Sequence, residues 1–429
     1  MKSITLNNYR CFEMLSLTFS NKVNLFIGDN ASGKTTIIRA ISAALGSFFT
    51  GFSDENTRFS GLTKDDFRIL EAEASLANEV PIKIDFEWLG VKASLDLKSP
   101  KGRTLQDPYK PIKTLSKRYY QTLFRDGKQT TALPLFTSFS TSDIHKPRRF
   151  GIAIFKKYEH KPSFGYFECL QGDGFLDYWT TRLLVLREAN TGELEVQGVV
   201  NAVLKALGPE GCNVISDMHI RPIKGKIYYY LTDGRVTDTE NLSDGLRRLV
   251  NIALNLGFRC MLLNKGIYRE EACAKTEGTV LIDEIDLHLH PTLQSIVVKG
   301  FQHAFPRIQF IITSHAPMIM TSIPSDDQNK IIKLEYDSLK GYTAFETKLF
   351  GMDASTIIET ELNLPSREAT VQLKLDEIFN LIDAEKLNEA KVKLLKMQID
   401  FGDNLPELAK AESMLNFLSA RDDHNSKEE

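Results

Sequence analysis

One stretch of eight residues constrains the fold of this chain more than any other part of its sequence. It reads Gly28-Asp29-Asn30-Ala31-Ser32-Gly33-Lys34-Thr35 and fits the pattern G-x-x-x-x-G-K-[ST]. Residues 23–27 before it form an apolar run typical of a buried strand, and the apolar residues of 37–45 have helical spacing. The sequence therefore predicts a glycine-rich loop between a strand and a helix, with backbone N–H groups facing a phosphate.

The side chains of this loop suit a nucleoside triphosphate bound with Mg²⁺. Lys34 is expected to bridge the β- and γ-phosphates and to act in catalysis, and the Thr35 hydroxyl is expected to ligate Mg²⁺. The expected phosphate-binding residues are Gly28, Asn30, Ser32, Gly33, Lys34, Thr35 and Thr36. The alternative, an incidental glycine-rich turn, leaves the matching strand and helix unexplained.

A second motif, Val280-Leu281-Ile282-Asp283-Glu284, is an apolar strand ending in two carboxylates. Asp283 directly follows the strand and suits the Mg²⁺ shell, whereas Glu284 is one step nearer a water that needs a general base. Alone, such a pair is more simply explained as solvated carboxylates. Together with the phosphate loop, it predicts Asp283 as a metal ligand and Glu284 as a catalytic residue.

Two further elements accompany these motifs. Leu242-Ser243-Asp244-Gly245 precedes an apolar helical pattern over residues 246–263, so one alternative is that its serine or aspartate only caps a helix. Thr313-Ser314-His315 follows an apolar strand at 308–312, and a lone histidine at a strand end is commonly structural. Neither element is specific by itself.

The order of the four elements resembles the ABC-type ATPase heads of the RecF, Rad50 and SMC class. The residues Asn8-Tyr9-Arg10-Cys11-Phe12 are similar to the first hairpin of that class, and the resemblance covers residues 1–323. It implies an α/β fold, an ABC-type (P-loop) ATPase head with a mixed β-sheet and an inserted arm or lid region, followed by a C-terminal α-helical appendage. It also implies ATP and Mg²⁺ as cofactors.

The same resemblance implies that two copies act together. The element 242–245 of one subunit would close on the γ-phosphate held by the other, so ATP would join a homodimer or a higher homo-oligomer. Glu284 would position the hydrolytic water, His315 would contact the γ-phosphate, and Asp286 would belong to a loop that signals between subunits. The nucleotide-contacting residues added in this way are Leu242, Ser243, Asp244, Gly245, Asp286 and His315.

Some positions depart from the pattern of that class. Asp244 replaces the small residue common in Leu-Ser-x-Gly, and no glutamine loop can be assigned. The glutamines without convincing flanks are Gln121, Gln129 and Gln171. His288 and His290 form an H-x-H pair that could hold a metal, but they fall in the loop after the catalytic strand, and no Cys/His cluster is near them in sequence.

Periodicity and composition divide the chain. Residues 1–350 are expected to form the head, with the inserted arm or lid at about 48–231, and 351–420 a helical region for oligomerisation or partner binding, before a disordered tail at 421–429. The arm is expected to contain half-strands at 82–86 and 151–155 and a hairpin turning at Asp233-Gly234. The three apolar stripes of the helical region are Val371, Leu375, Ile378, Phe379 and Ile382; Leu387, Ala390, Leu394 and Leu395; and Leu408, Ala411, Leu415 and Leu418.

Charge is unevenly distributed along the chain. The formal net charge is -3, but segment 98–161 has fifteen Lys/Arg and four Asp/Glu, a net +11. Its aromatic residues are Tyr109, Tyr119, Tyr120, Phe124, Phe136, Phe139 and Phe150. The combination suits nucleic acid, through phosphate contacts and base stacking, and equally suits a solvated surface with its aromatics in the core.

Compartment follows from what the sequence lacks. No window of eighteen residues is uninterruptedly apolar, and the five cysteines are odd in number and scattered. We therefore expect no membrane partner, reduced thiols and a cytoplasmic location.

The type of ATPase is indicated by the spacing of motifs and by the last part of the chain. Nearly 250 residues separate Lys34 from Asp283, too many for a transporter subunit. Residues 351–367 and the acidic, leucine-rich helices after them resemble the ATPase subunit of Septu-type and retron-associated anti-phage systems. This implies a homo-oligomeric ATPase that regulates or carries a separate HNH-type nuclease. The alternatives are a RecF-like DNA-repair ATPase and an ATP-binding scaffold with little turnover.

Overall fold

Strands and helices alternate through most of the chain that the computed structural model describes, which is residues 1–52, 59–72, 75–140, 161–171, 175–402 and 405–425. The described strands are β1 (Ser3–Tyr9), β2 (Phe12–Thr18), β3 (Val23–Gly28), β4 (Arg68–Ala72), β5 (Ser75–Glu79), β6 (Ile82–Trp88), β7 (Val91–Leu97), β8 (Phe124–Arg125), β9 (Lys128–Gln129), β10 (Leu135–Phe139), β11 (Ile215–Arg221), β12 (Lys226–Leu231), β13 (Val236–Asp238), β14 (Gly278–Ile282), β15 (Ile308–Thr313), β16 (Asn329–Asp337) and β17 (Gly341–Thr347). The described α-helices are α1 (Lys34–Gly46), α2 (Lys110–Gln121), α3 (Leu176–Glu188), α4 (Glu193–Leu207), α5 (Asp244–Tyr268), α6 (Ala272–Lys275), α7 (Pro291–Gln294), α8 (Val297–Ala304), α9 (Pro317–Met320), α10 (Ala354–Thr360), α11 (Ala369–Asp383), α12 (Leu387–Phe401) and α13 (Pro406–Asn425). In this described part, no helix is both long and apolar enough to cross a membrane.

A six-stranded mixed sheet organises the first of two compact units, Met1–Ala354. Its order is β10-β14-β15-β3-β16-β17, with the first five strands parallel and β17 antiparallel to β16. Every residue of β3 and β15 is buried, as expected where both faces of a parallel sheet are covered. The α/β fold with a mixed sheet is thus confirmed, and β3, β14 and β15 end at the same edge.

The region 48–231, expected as an inserted arm or lid, contributes strands to more than one sheet. β6 and β7 extend the β1–β2 hairpin into an antiparallel sheet of order β2-β1-β6-β7, and β11, β12 and β13 form a separate three-stranded sheet. The expected hairpin around Asp233-Gly234 is confirmed by the pairing of β12 with β13. The half-strand expected at 151–155 lies outside the described residues.

Strand β10 also falls within this region and was not anticipated as part of the mixed sheet. It pairs in parallel with β14, from Leu135 opposite Gly278 to Phe139 opposite Ile282. A run of five residues with every side chain buried has no periodicity that distinguishes it from other apolar segments, so only the pairing reveals it.

The second unit, Ser355–Glu429, is helical in its described part. Helices α11, α12 and α13 surround a core of Leu375, Ile378, Ile382, Ala390, Leu394, Met397, Leu408, Ala411 and Leu415. The expected stripes include every residue of this core except Met397. Val371, Phe379, Leu387 and Leu418 are partly buried and pack against the core, whereas Leu395 is 54% exposed. Adjacent helical residues differ by about 100° in direction, so Leu395 points away from the side of α12 on which Leu394 packs.

Candidate functional site

The phosphate loop depends on two glycines at the end of β3 and the start of α1. Gly28 has φ 137° and Gly33 has φ 97°, both in the region that favours glycine. A Cβ atom at Gly28 would lie 2.3 Å from the carbonyl oxygen of Leu334, and one at Gly33 would lie 2.4 Å from Cζ of Phe12. Both glycines are therefore required by backbone conformation and by close packing.

Lys34, the first residue of α1, fills the loop with its ammonium group. Nζ donates to the carbonyl oxygens of Gly28 at 2.9 Å and Asp29 at 2.8 Å, and to Oγ of Ser32 at 3.4 Å. Burial lowers the pKa of Lys34, although the nearby carboxylates, Asp283 first, oppose the shift. The loop thus presents a positive charge beside a helix N-terminus, an arrangement that attracts anions.

Asp283 is held at the end of β14 by two hydroxyl groups. Thr35 Oγ1 donates to one carboxylate oxygen at 2.9 Å, and Thr313 Oγ1, at the end of β15, donates to the other at 2.7 Å. The Asp283 side chain is 2% exposed. The parallel pairing of β14 and β15 produces this meeting, because their carboxyl ends share one edge of the sheet.

Glu284 follows in an unusual backbone conformation. Its φ is 49°, uncommon for a residue with a side chain, and its N–H donates to Thr313 Oγ1 at 2.7 Å. One threonine hydroxyl group therefore fixes both neighbouring acidic residues. Strained backbone of this kind is frequent where a side chain must be aimed into a site.

His315 and Asp286 lie in the same electrostatic environment. Burial lowers the pKa of His315, and the positive charge of Lys34 adds to the effect. The negative charges of Asp286 and Glu284 oppose these shifts, because they raise the pKa of both Lys34 and His315. Oδ1 of Asp286 is buried and has no hydrogen-bond partner among the described residues. Five predicted residues, Lys34, Asp283, Glu284, Asp286 and His315, are thus brought together.

The Leu-Ser-x-Gly element begins α5 with its polar side chains outward. Ser243 occupies the N-cap position, but its hydroxyl group caps no backbone N–H, and the side chains of Ser243 and Asp244 are exposed. Gly245 packs on the loop after β14, where an added Cβ would lie 2.3 Å from the carbonyl oxygen of His288. The side-chain capping suggested as an alternative for Ser243 is therefore absent.

Arg248, one turn into α5, was missed by the sequence analysis. Its Nη2 donates to the carbonyl oxygen of Asp283 at 2.6 Å, and the residue is buried. Helix α5 is thus joined to the end of β14, where Asp283 and Glu284 follow. Nothing in the sequence singles out this arginine, because its partner is a backbone atom 35 residues away.

Of the three glutamine candidates, Gln121 and Gln129 precede β10, the strand that pairs with β14, and Gln171 comes after it in the chain. The Asp283 N–H donates to the carbonyl oxygen of Phe139 at 2.9 Å, so the loop beside Asp283 begins at Ser140. Gln129 instead donates to the carbonyl oxygens of Thr131 and Leu263. Residues 141–160, which follow in the sequence, lie outside the described residues.

The structure gives His290 of the H-x-H pair a role in capping a helix. Nδ1 of His290 accepts from the Thr292 N–H and caps α7, and the described residues contain no group of three or more His, Cys, Asp or Glu suited to a metal.

In the basic segment 98–161, three of the aromatic residues, Tyr109, Phe136 and Phe139, are buried, so these three belong to the core. Those that remain exposed are Tyr120 and Phe124, and Phe150 lies outside the described residues.

Curated proteins similar to this chain include retron and Septu proteins. The chain is 24% identical over 392 residues to "Retron Vc95 probable ATPase" of Vibrio cholerae serotype O1 biovar El Tor, covering 78% of this chain and 74% of the relative. It is 23% identical over 456 residues to "Retron Ec83 probable ATPase" of Escherichia coli, covering 89% and 80%. It is 30% identical over 161 residues to "Septu protein PtuA" of Bacillus mycoides (strain KBAB4), covering 34% and 22%. These relatives confirm the resemblance to retron and Septu ATPases.

Two family models match the head. One, described as "AAA domain", matches residues 3–155. The other, described as "AAA domain, putative AbiEii toxin, Type IV TA system", matches residues 93–321, more than half of the 429 residues. The chain therefore belongs to the AAA-domain family of ATPases that this second model describes.

Proposed function

We propose that the chain binds and hydrolyses ATP at a site completed by a second copy of itself, and that this cycle controls a separate nuclease subunit in defence against phage. The observation that carries the proposal is the convergence of Lys34, Asp283, Glu284 and His315 at one edge of the mixed sheet. In this arrangement Lys34 binds the β- and γ-phosphates, and Glu284 orients the attacking water. His315, with its lowered pKa, is neutral at pH 7 and acts as a hydrogen-bonding group toward the γ-phosphate.

The donor set of this site fits Mg²⁺. The Thr35 hydroxyl and Oδ2 of Asp283 are 2.9 Å apart, and both are oxygen ligands of the kind that Mg²⁺ prefers. Bound there, Mg²⁺ would neutralise charge on the phosphates. Thr313 holds the other Asp283 oxygen, which keeps the carboxylate in one orientation.

Exposure of the Leu-Ser-x-Gly element supports assembly of two copies. The Ser243 hydroxyl group is exposed and uncommitted to its own helix, while the backbone of Gly245 is packed on the loop of His288. The N-terminus of α5 therefore offers hydrogen-bond donors outward, where the γ-phosphate of a second subunit can accept them. ATP then acts as the contact that joins a homodimer or a higher homo-oligomer.

The nuclease partner is supported by the relatives and by the chemistry of the second unit. Septu and retron ATPases resemble this chain, and residues 353–429 carry nine basic and seventeen acidic residues, a net -8. An acidic surface disfavours nucleic acid and favours a protein partner with basic residues. The partner that the resemblance implies is an HNH-type nuclease.

Co-expression with any HNH-type nuclease encoded beside this chain tests the proposal. We expect the two proteins to co-purify, and cleavage of a DNA substrate to depend on the nucleotide state of the ATPase. Lys34→Ala should retain the complex and lose ATP control, because the lysine lies in the first unit. A nuclease that never co-purifies, or whose cleavage ignores ATP and Lys34→Ala alike, would contradict the proposal.

A further inference from the structure

A second concave site lies beside the C-terminal half of α5, away from the phosphate loop. Its volume is about 410 Å³, within the usual range of small-ligand sites. The residues that line it are Phe124, Gly127, Lys128, Gln129, Lys161, Pro162, Leu262, Lys265 and Gly266. It shares no residue with the ATP site. Along α5, Ser243 and Lys265 are separated by roughly 33 Å at 1.5 Å per residue.

The charge of this pocket is positive. Lys128 comes from the β8–β9 hairpin, Lys161 from the segment after residue 160, and Lys265 from α5. Among the described residues, those that line the pocket include no aspartate or glutamate. Three lysines from three separate segments therefore line one cavity, which favours an anionic ligand.

Lys265 is fixed in place by a buried carboxylate. Its Nζ donates to Oε2 of Glu195 at 2.5 Å, and Arg182 donates to Oε1 at 2.6 Å. Burial opposes ionisation of Glu195, but the two cations outweigh it and hold its pKa below the ordinary value. Lys265 thus shares the Glu195 carboxylate with Arg182, and its ammonium group keeps further N–H donors for a ligand.

The pocket also has an apolar side. Phe124 is 49% exposed, and it lines the cavity together with Pro162 and Leu262. An aromatic ring left half exposed beside lysines offers a face on which a nucleobase stacks. The combination matches a ligand with a planar ring and a phosphate.

The β8–β9 hairpin and α5, which both line the pocket, are joined by a hydrogen bond, so the pocket is part of the folded structure. Nε2 of Gln129, in β9, donates to the carbonyl oxygen of Leu263 at 2.7 Å. A Cβ atom at Gly266 would lie 2.6 Å from Oε1 of the same glutamine. The hairpin thus approaches α5 closely because residue 266 is glycine.

A basic helix leads toward this hairpin. Lys110, Lys113 and Lys117 of α2 are exposed and spaced at i, i+3 and i+7, which puts them on one face. Helix α2 ends at Gln121, two residues before β8. A nucleic-acid strand whose end occupied the pocket could continue along these lysines.

From these contacts we infer that the pocket between the β8–β9 hairpin and α5 binds a phosphorylated nucleoside, either free or as the end of a single strand. Phe124 stacks on the base, and Lys128, Lys161 and Lys265 contact the phosphate. The inference does not depend on the proposed nuclease partner.

Titration of the full chain tests the inference. The background is Lys34→Ala in the presence of a chelator, which removes the contribution of the ATP site. The probes are thymidine 5′-monophosphate, a short 5′-phosphorylated oligothymidylate and inorganic phosphate. We expect Phe124→Ala to weaken binding of a thymidine probe about 5- to 100-fold, the usual effect of losing one stacked base. Lys128→Ala should also weaken it and reduce its salt dependence.

The matched controls are Tyr336→Ala and Lys340→Ala, an exposed aromatic and an exposed lysine on the β16–β17 hairpin. Equal affinity for monophosphate and oligonucleotide would identify a free nucleotide, and binding of the oligonucleotide alone would identify a strand end. The inference is overturned if neither thymidine probe binds, if the pocket variants behave like the controls, or if inorganic phosphate binds as tightly as the monophosphate.

Discussion

The Thr35 hydroxyl donates a 2.9 Å hydrogen bond to Oδ2 of Asp283, across 248 residues of sequence. Thr313 donates to the other oxygen of that carboxylate at 2.7 Å. The phosphate loop, the strand before Glu284 and the strand before His315 are therefore connected by hydrogen bonds through one carboxylate. Such preorganisation lowers the cost of assembling a site when substrate binds.

Glu284→Gln should separate ATP binding from hydrolysis. We expect turnover to fall by at least about 100-fold, because general-base assistance is lost while the phosphate contacts remain. In light scattering with ATP and Mg²⁺, the variant should accumulate a larger species that wild type dissolves on hydrolysis. Glu271→Gln, on the surface beside Lys275, is the matched control. Normal turnover by Glu284→Gln would refute its catalytic role and favour another base.

Ser243→Arg and Lys34→Ala should complement each other when mixed. If Ser243 acts in trans, a mixed dimer contains one site with both elements intact, and random pairing restores up to about a quarter of wild-type turnover. If Ser243 acts on its own subunit, every site remains defective. ATPase measurements on each variant and on the mixture distinguish the two, and a mixture as inactive as its components argues against the composite site.

The pH dependence of stability should report on His315. Its folded pKa is below the ordinary 6.5, because burial and Lys34 disfavour the charged ring. Between the folded pKa and 6.5 the unfolded chain binds more protons, so the free energy of unfolding falls as pH falls below 6.5. From about pH 7.5 to about pH 5.5, wild type should lose more Tm than His315→Gln. Parallel curves for the two proteins would contradict this assignment.

Glu195→Gln should destabilise the first unit strongly. It leaves Arg182 and Lys265 close together without their shared carboxylate, a loss that costs about 3–5 kcal/mol for buried pairs. Glu193→Gln, two residues away in an exposed pair with Arg187, should change the free energy of unfolding by less than about 1 kcal/mol. Denaturant titration measures both, and similar values for the two would show that the buried network contributes little.

In the helical bundle, one helix carries both a buried and an exposed leucine, which serve as a matched pair of mutation sites. Leu375 is 1% exposed and Leu373 is 68% exposed, both in α11. Leu375→Ala should cost about 2–5 kcal/mol through lost burial and a cavity, and Leu373→Ala should be nearly neutral. Amide hydrogen exchange over residues 369–415 measures the stability of the bundle directly. Equal exchange rates in the two variants would be inconsistent with the core described for this unit.

Much of the candidate site could be predicted because its motifs are local. The phosphate loop is eight consecutive residues whose glycines are needed for positive φ and close packing, and its flanks carry their own periodicity. The carboxylates after β14 follow an apolar run that can only be a buried strand or helix. Leu395 was assigned wrongly because spacing alone does not choose between adjacent leucines.

The sequence by itself determined the P-loop and the order of the four elements, because each element is encoded within a few neighbouring residues. Only the tertiary structure decided which strand lies beside β14, that Arg248 reaches the carbonyl oxygen of Asp283, and that Gln129 donates to the carbonyl oxygen of Leu263 in α5. It also decided that Tyr109, Phe136 and Phe139 are core while Phe124 lines a cationic pocket. These depend on strand register and on contacts between distant segments, and no local pattern specifies them.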